Sequence, residues 1–389
     1  MSYFNITPID GRYTKKTRRL SGFFSEFGFM KYRLEVEIKY FLFLNNLLEN
    51  SEIAEYKANL LSLIDNFSSV DCERIKMIED KCNHDVKSVE YFLREKLESL
   101  NLDKYNQLIH FGLTSQDINN TSITKSLKDY VSSLYISNVE QIINQINEKA
   151  GFWRNIVMLC RTHGQPAVPS TLGKELRVFS YRLEKQLHIL KSVQYFGKFG
   201  GAVGNLNAHY LAYPEINWES NLTRFLQEDL GLIREKYTTQ IDNYENLAVV
   251  FDCVRRINTI LIDLNRDIWQ YISMEYLSQS FDKDEVGSST MPQKINPINF
   301  ENSEGNLMIS NALLDFMSNK LPVSRLQRDL TDSTVLRNVG SAFGYIEIAY
   351  QNFLIGFNKI SPNINVINKD LNNNISILTE GLQVILRKE

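Results

Sequence analysis

Residues 247–272, LAVVFDCVRRINTILIDLNRDIWQYI, decide the fold class. Leu247, Phe251, Val254, Ile257, Leu261, Leu264, Ile268 and Ile272 follow one another at steps of three or four. That spacing lines one face of a helix over about seven turns. No proline falls between Pro214 and Pro292, and only Pro8 precedes Pro166, so two long intervals lack the strongest helix breaker. Leu172, Leu176, Phe179, Leu183, Leu187, Leu190 and Val193 repeat the pattern in another segment. Alternating apolar and polar runs are few, and strand-turn-helix repeats are absent. The expectation is an all-α protein built on a bundle of long helices.

The 389 residues suffice for two or three domains sharing a large core. Hydrophobic residues make up 43% and charged residues 23%, an ordinary globular composition. A net charge of −3 gives no sign of a nucleic-acid or acidic-membrane partner bound through bulk charge, and an anionic substrate would require local positive charge. The N-terminus has no basic and apolar leader pattern, and no run is apolar enough to span a bilayer, which makes the cytoplasm the expected compartment. Cys72, Cys82, Cys160 and Cys253 show no metal-ligand spacing and are read as buried small hydrophobes.

Between the helical stretches lie polar interruptions. Pro8-Ile9-Asp10-Gly11-Arg12-Tyr13 is a turn before an arginine whose planar fork suits phosphate. Asn83-His84-Asp85 breaks a helical stretch. His110-Phe111-Gly112-Leu113-Thr114-Ser115-Gln116-Asp117 reads as a helix start, with Thr114 or Ser115 as N-cap, and the same geometry forms a carboxylate or phosphate site. Arg161-Thr162-His163-Gly164-Gln165-Pro166 places His163 at a helix end, where an imidazole can give or take a proton. His188 lies in a regular helical pattern and is read as structural. The glycine run from Gly197 to Gly204 has no G-x-G-x-x-G spacing and no preceding strand, so it is read as a close-approach turn. Ser324 to Asn338 interleaves Arg325, Arg328 and Arg337 with hydroxyls and carboxylates. It is either a helix face laced with ion pairs or the local positive charge for an anion.

The most unusual stretch is Gly287-Ser288-Ser289-Thr290-Met291-Pro292-Gln293-Lys294-Ile295-Asn296-Pro297. Glycine and two prolines exclude helix and central strand, and hydroxyls, an ammonium and two amides sit among them. A solvated linker and an active-site loop both fit such a run; Met291 and Lys294 favour the loop.

Taken together, these motifs resemble the bacterial adenylosuccinate lyases of the fumarase/aspartase superfamily over almost the whole chain. The residues that carry the resemblance are Gly287 to Pro297, Gly11-Arg12-Tyr13, Asn83-His84-Asp85, Thr114-Ser115, Arg161 to Pro166, Thr238-Thr239-Gln240 and Arg328 to Arg337. The resemblance implies a homotetramer whose active sites collect loops from three subunits, and a reaction without metal or organic cofactor. It implies β-elimination of fumarate from adenylosuccinate and from the succinylated aminoimidazole carboxamide ribotide. Ser288 would be the base and His163 the general acid. Lys294 and Asn296 would hold the succinyl carboxylates, and Arg12, Tyr13, Arg328, Ser333 and Arg337 the phosphate, ribose and base. Asn83, His84, Asp85, Thr114, Ser115, Gln240, Ser289 and Asn302 would complete the pocket.

The expected division is an N-terminal helical domain (1–113), a central bundle (114–347) and a C-terminal helical region (348–389) shorter than the family's. Gln293 stands where bacterial relatives often carry histidine, and it keeps argininosuccinate lyase as an alternative. The short C-terminal region keeps a second alternative, a non-catalytic helical scaffold.

Overall fold

The computed structural model describes residues 4–280, 291 and 294–389. Its centre is a set of long helices. One runs from Ser115 to Tyr130, through a π-helical turn at Val131–Tyr135, and on through Ile136–Phe152. The others are Leu172–Lys191, Glu245–Ser273, Ile298–Lys320 and Val339–Lys359. Glu245–Ser273, with 29 residues, is about 43 Å long at 1.5 Å per residue. Its stripe from Leu247 to Ile268 is buried, and Ile272 at its end is half-buried. Arg255 pairs with Asp315, Asn258 with Asn311, Asn265 with Ser303 and Arg266 with Glu304. Between Arg255 and Arg266 the partners run back from Asp315 to Glu304, so Glu245–Ser273 and Ile298–Lys320 lie antiparallel.

Val339–Lys359 is apolar around most of its circumference, as the middle of a bundle requires. Phe343, Ile346, Ile348, Ala349 and Phe353 are all fully buried. Glu347 is buried among them, and its carboxylate accepts from Arg19, from Asn138 Nδ2 at 2.8 Å and from the Tyr130 hydroxyl at 3.3 Å. Those partners offset the cost of burying its charge.

The N-terminal helices Glu26–Leu47, Ser69–Cys82 and Asp85–Ser99 surround their own apolar cluster, with Leu34, Phe41, Ile75, Phe92 and Leu93 at its centre. A third cluster, including Tyr40, Ile118, Phe199, Trp218 and Phe225, joins Glu26–Leu47 to the start of the Ser115 helix and to the helix Trp218–Asp229. The mostly helical fold therefore matches the sequence expectation.

The structure corrects two local expectations. Cys253 alone of the four cysteines is buried, and Cys72, Cys82 and Cys160 are half-buried free thiols. His163 does not end a helix. Val157–Thr162 and Gln165–Thr171 form an antiparallel hairpin with Thr162 paired to Gln165. His163 and Gly164 are its two-residue turn, at φ of 54° and 75°. Positive φ at both central residues suits the turn to the right-handed twist of the strands. Pro166, expected to follow a helix end, and Pro169 are tolerated because each strand of a two-stranded ribbon is an edge.

The glycine run is a close-approach turn, as expected, but contrary to expectation a two-residue strand, Phe196–Gly197, leads into it, paired in parallel with Ile233–Arg234. At Gly204, φ is +82° and a Cβ would lie 2.2 Å from the Thr238 carbonyl oxygen. The run wraps a buried carboxylate. Asp117 accepts from Lys198 Nζ at 2.7 Å and from the backbone N–H groups of Gly200 and Gly201 at 2.8 and 3.1 Å. Both side chains of this ion pair are fully buried. Lys198→Met leaves that carboxylate without its cation and is expected to lower unfolding free energy by about 3–5 kcal/mol in urea titrations. A change of under about 1 kcal/mol would show that the pair does not hold this region.

Candidate active site

Two helix starts and one arginine-rich turn meet at a cavity of about 330 Å³. The first start is at Asp85. Asn83 takes a left-handed conformation, φ 50°, after Cys82, and His84 caps the next helix. The His84 ring accepts at Nδ1 from the backbone N–H groups of Val86 and Lys87, at 3.3 and 3.1 Å. An accepting Nδ1 puts the proton of the neutral ring on Nε2, which lies 3.4 Å from Ser115 Oγ. The second start is at Ser115. Thr114 and Asp117 form a capping box, so the Thr114 hydroxyl is engaged with the helix backbone while Ser115 and Gln116 face the cavity.

Asp85 joins two elements distant in sequence. Its Oδ2 accepts from Arg33 at 2.7 Å and from Arg337 at 3.0 Å. Burial would raise the Asp85 pKa, but Arg33 and then Arg337 outweigh it and hold the carboxyl below the usual range. Arg328 lines the same cavity, donating to Gln240 Oε1 at 3.3 Å and Ser333 Oγ at 3.2 Å. Gln116 Nε2 lies 3.5 Å from the same Ser333 oxygen. Three buried polar atoms here, Gln116 Oε1, Arg328 Nε and Asp332 Oδ1, have no hydrogen-bond partner. Three guanidinium groups (Arg33, Arg328, Arg337) line the cavity with Glu79 and Asp85, and Arg328 Nε lies 3.9 Å from Asp332 Oδ1, so the cavity presents guanidinium forks held by carboxylates. With a helix N-terminus beside it, it suits an anion bearing hydroxyls.

The remaining expected residues lie elsewhere. Arg12 sits 5.9 Å over the Tyr13 ring, and the Tyr13 hydroxyl accepts from Asn302 Nδ2 at 3.2 Å. Exposed Lys294 and half-buried Asn296 lead into the same helix as Asn302. His163 is exposed at its hairpin turn. Ser288 and Ser289 lie outside the described residues, as does Gln293.

The helix Glu245–Ser273 separates the arginine cavity from the hairpin. Tyr244, just before it, donates to Asp332 at 2.8 Å. Tyr276, just after it, donates to Asp370, which pairs with Arg161 of the hairpin. One chain therefore keeps the His84 cavity and His163 at opposite ends of a rod about 43 Å long.

Arg33, Gln116 and Asn119 belong to the cavity wall but not to the expected set. Arg33 carried no signal because it sits in an ordinary helical pattern. Gln116 and Asn119 belong to a polar run, Ser115 to Ser126, within a helix of an apolar bundle, and that contrast was legible. Two histidines take structural roles. His209 is buried with Nε2 3.0 Å from the Tyr40 hydroxyl, and burial lowers its pKa to about 4. His110 Nδ1 lies 2.6 Å from Glu37 Oε1; burial opposes its charge, but Glu37 outweighs this and raises its pKa.

The depressed Asp85 pKa fixes the sign of a pH effect. A lowered folded pKa adds stability above the unfolded value of about 4, and that stability is lost as pH falls through the folded value. Asp85→Asn should therefore be less stable than wild type at neutral pH, with the difference closing below about pH 4. Unfolding midpoints measured across that range check it; a gap unchanged at low pH would contradict the ion-pair assignment.

A family model described as Lyase matches residues 11–312, and one described as Adenylosuccinate lyase C-terminal matches residues 324–389. The adenylosuccinate lyase of Dictyostelium discoideum is 48% identical, covering 99% of this chain and 84% of that protein. The adenylosuccinate lyase of Escherichia coli (strain K12) is 46% identical, covering 98% and 85%. Among solved structures, a fumarate lyase from Mesorhizobium sp. BNC1 superposes with a TM-score of 0.78 at 17% identity, covering 96% of this chain and 82% of that one. A 3-carboxy-cis,cis-muconate lactonizing enzyme from Pseudomonas putida gives 0.75 at 18% identity, covering 95% and 82%. At those identities the two structures speak for the fold, while the sequence relatives settle the family: the chain belongs to the adenylosuccinate lyases.

Proposed function

We propose that the chain cleaves adenylosuccinate to AMP and fumarate, and the succinylated aminoimidazole carboxamide ribotide to its carboxamide and fumarate, in purine nucleotide biosynthesis. The observation that carries the reading is the cavity that sets Arg328, Ser333 and Arg337 opposite His84, Asp85 and Ser115. It offers guanidinium forks for a phosphate, hydroxyl partners for a ribose and a helix N-terminus for negative charge.

The chemistry is a β-elimination. Ser288 removes a carbon-bound proton beside a carboxylate, the electron pair becomes the C=C bond of fumarate, and the C–N bond breaks as His163 protonates the leaving nitrogen. Lys294 and Asn296 hold the succinyl carboxylates while negative charge develops. Arg12 and Tyr13 bind substrate from the N-terminal turn and Asn302 from the helix Ile298–Lys320 beside it, and Asn83, Thr114, Gln240 and Ser289 support the pocket. No metal or organic cofactor takes part in this scheme.

The distance between the His84 cavity and His163 supports an active site assembled from several copies of the chain, in a homotetramer. The compartment proposed is the cytoplasm; among the described residues no helix is long and apolar enough to cross a membrane. The proposed division is 1–113, 114–347 as the bundle and 348–389 as the C-terminal region; the cluster around Leu34, Phe41 and Phe92 lies wholly within 1–113, Leu20 and Phe24 pack into the main core, and the last boundary falls inside Val339–Lys359.

Ser288→Ala is expected to lower kcat by about 10²- to 10⁴-fold while adenylosuccinate still binds, read by absorbance and by equilibrium binding. Near-normal turnover would remove Ser288 from the base role. Wild-type activity on argininosuccinate alone, which Gln293 keeps in view, would overturn the purine reading. Inactivity on both substrates would favour a scaffold.

A further inference from the structure

The hairpin that carries His163 is gripped from the side by the C-terminal region. Arg161, two residues before His163, donates to Asp370 Oδ2 at 2.6 Å, and the Tyr276 hydroxyl donates to the same oxygen. Asn374 Nδ2 reaches the other carboxylate oxygen at 3.2 Å and the Asp370 carbonyl at 2.8 Å. Two cationic or polar side chains from different elements thus converge on one carboxylate, and an amide fixes its remaining oxygen.

Each end of the grip is itself fixed. Tyr276 is 1% exposed, its ring is stacked parallel to that of Tyr271, and its carbonyl accepts from the Asn363 N–H at 2.8 Å. The helix Ile364–Asn373, which carries Asp370, docks into the main core through fully buried Ile367. The hairpin ladder is irregular between Leu159 and Arg161, a step that bends the strand locally, and the side-chain grip falls on Arg161 at that step. Burial would raise the Asp370 pKa, but the Tyr276 and Arg161 hydrogen bonds outweigh it and keep the carboxylate ionised below its usual range.

The Arg161 and Asp370 side chains are 28% and 24% exposed, and a pair that open to water contributes little to stability. What the arrangement does supply is direction: it fixes the strand two residues from the turn that presents His163. A misplacement of about 1 Å at a reacting group costs up to about a hundredfold in rate.

We propose that Asp370 is a positioning residue for His163, acting through Arg161 so that the C-terminal region aims the proton donor at the leaving nitrogen. This rests on the reading of His163 as that donor, and a double-mutant cycle separates the two. His163→Gln alone tests the donor, and near-normal turnover would overturn the donor reading and the positioning role with it. Asp370→Ala is expected to lower kcat on adenylosuccinate about tenfold or more, with KM within about twofold of wild type. In the His163→Gln background the same change should cost no further activity, because a residue that acts through His163 has nothing left to aim. Tyr276→Phe removes one hydrogen bond while keeping the packing, guards against misfolding of the alanine variant, and should show a smaller loss that also vanishes without His163. Losses that multiply across the two backgrounds, or an unchanged kcat in Asp370→Ala and Tyr276→Phe, would overturn the proposal.

Discussion

A continuous helix holds its two ends at a fixed separation, and that constraint governs this molecule. The 29 residues of Glu245–Ser273 keep Tyr244 and Tyr276 about 43 Å apart. The helix has no interior proline to bend at, and its buried stripe locks it between Leu172–Lys191 and Ile298–Lys320. The bundle is therefore a rigid rod whose chemistry-bearing residues are confined to its ends and to the turns between helices. Groups at opposite ends meet only if another copy of the chain brings one to the other.

Within each end, function and folding use the same bonds. His84 and the Thr114–Asp117 box cap two helices, and the caps leave the His84 Nε2 and the Ser115 hydroxyl facing one cavity. Asp117 then ties the second cap to Lys198, Gly200 and Gly201, so the site rests on a buried ion pair well inside the protein. Asp85 draws Arg33 and Arg337 together from distant parts of the chain. A chain of net charge −3 thereby gathers three guanidinium groups at one cavity, where an anionic substrate would need donors.

The long helices were legible in sequence because an apolar stripe at helical spacing has one economical packing, with the stripe against a neighbour. The breaks at Asn83 to Asp85 and at Thr114 were legible for a related reason: polar caps and helix starts share residue types. The hairpin at His163 was not. Its prolines and glycine stop a helix and also suit an edge strand with a positive-φ turn, and only the pairing of Val157–Thr162 with Gln165–Thr171 decides between them. Arg33 was hidden as well, since its role depends on Asp85 and Asn119 arriving from other helices. Sequence order also could not say that His84 and His163 end up at opposite ends of the rod.

The assembly of one site from several copies is tested most directly by mixing two variants, His84→Ala and His163→Ala, each disabled at one end of the rod. After dissociation and reassembly together, the mixture should regain adenylosuccinate cleavage that neither variant shows alone, because some sites then join an intact His84 from one copy to an intact His163 from another. Mixed assemblies that form, as followed with two distinguishable tags, yet stay inactive would contradict the account.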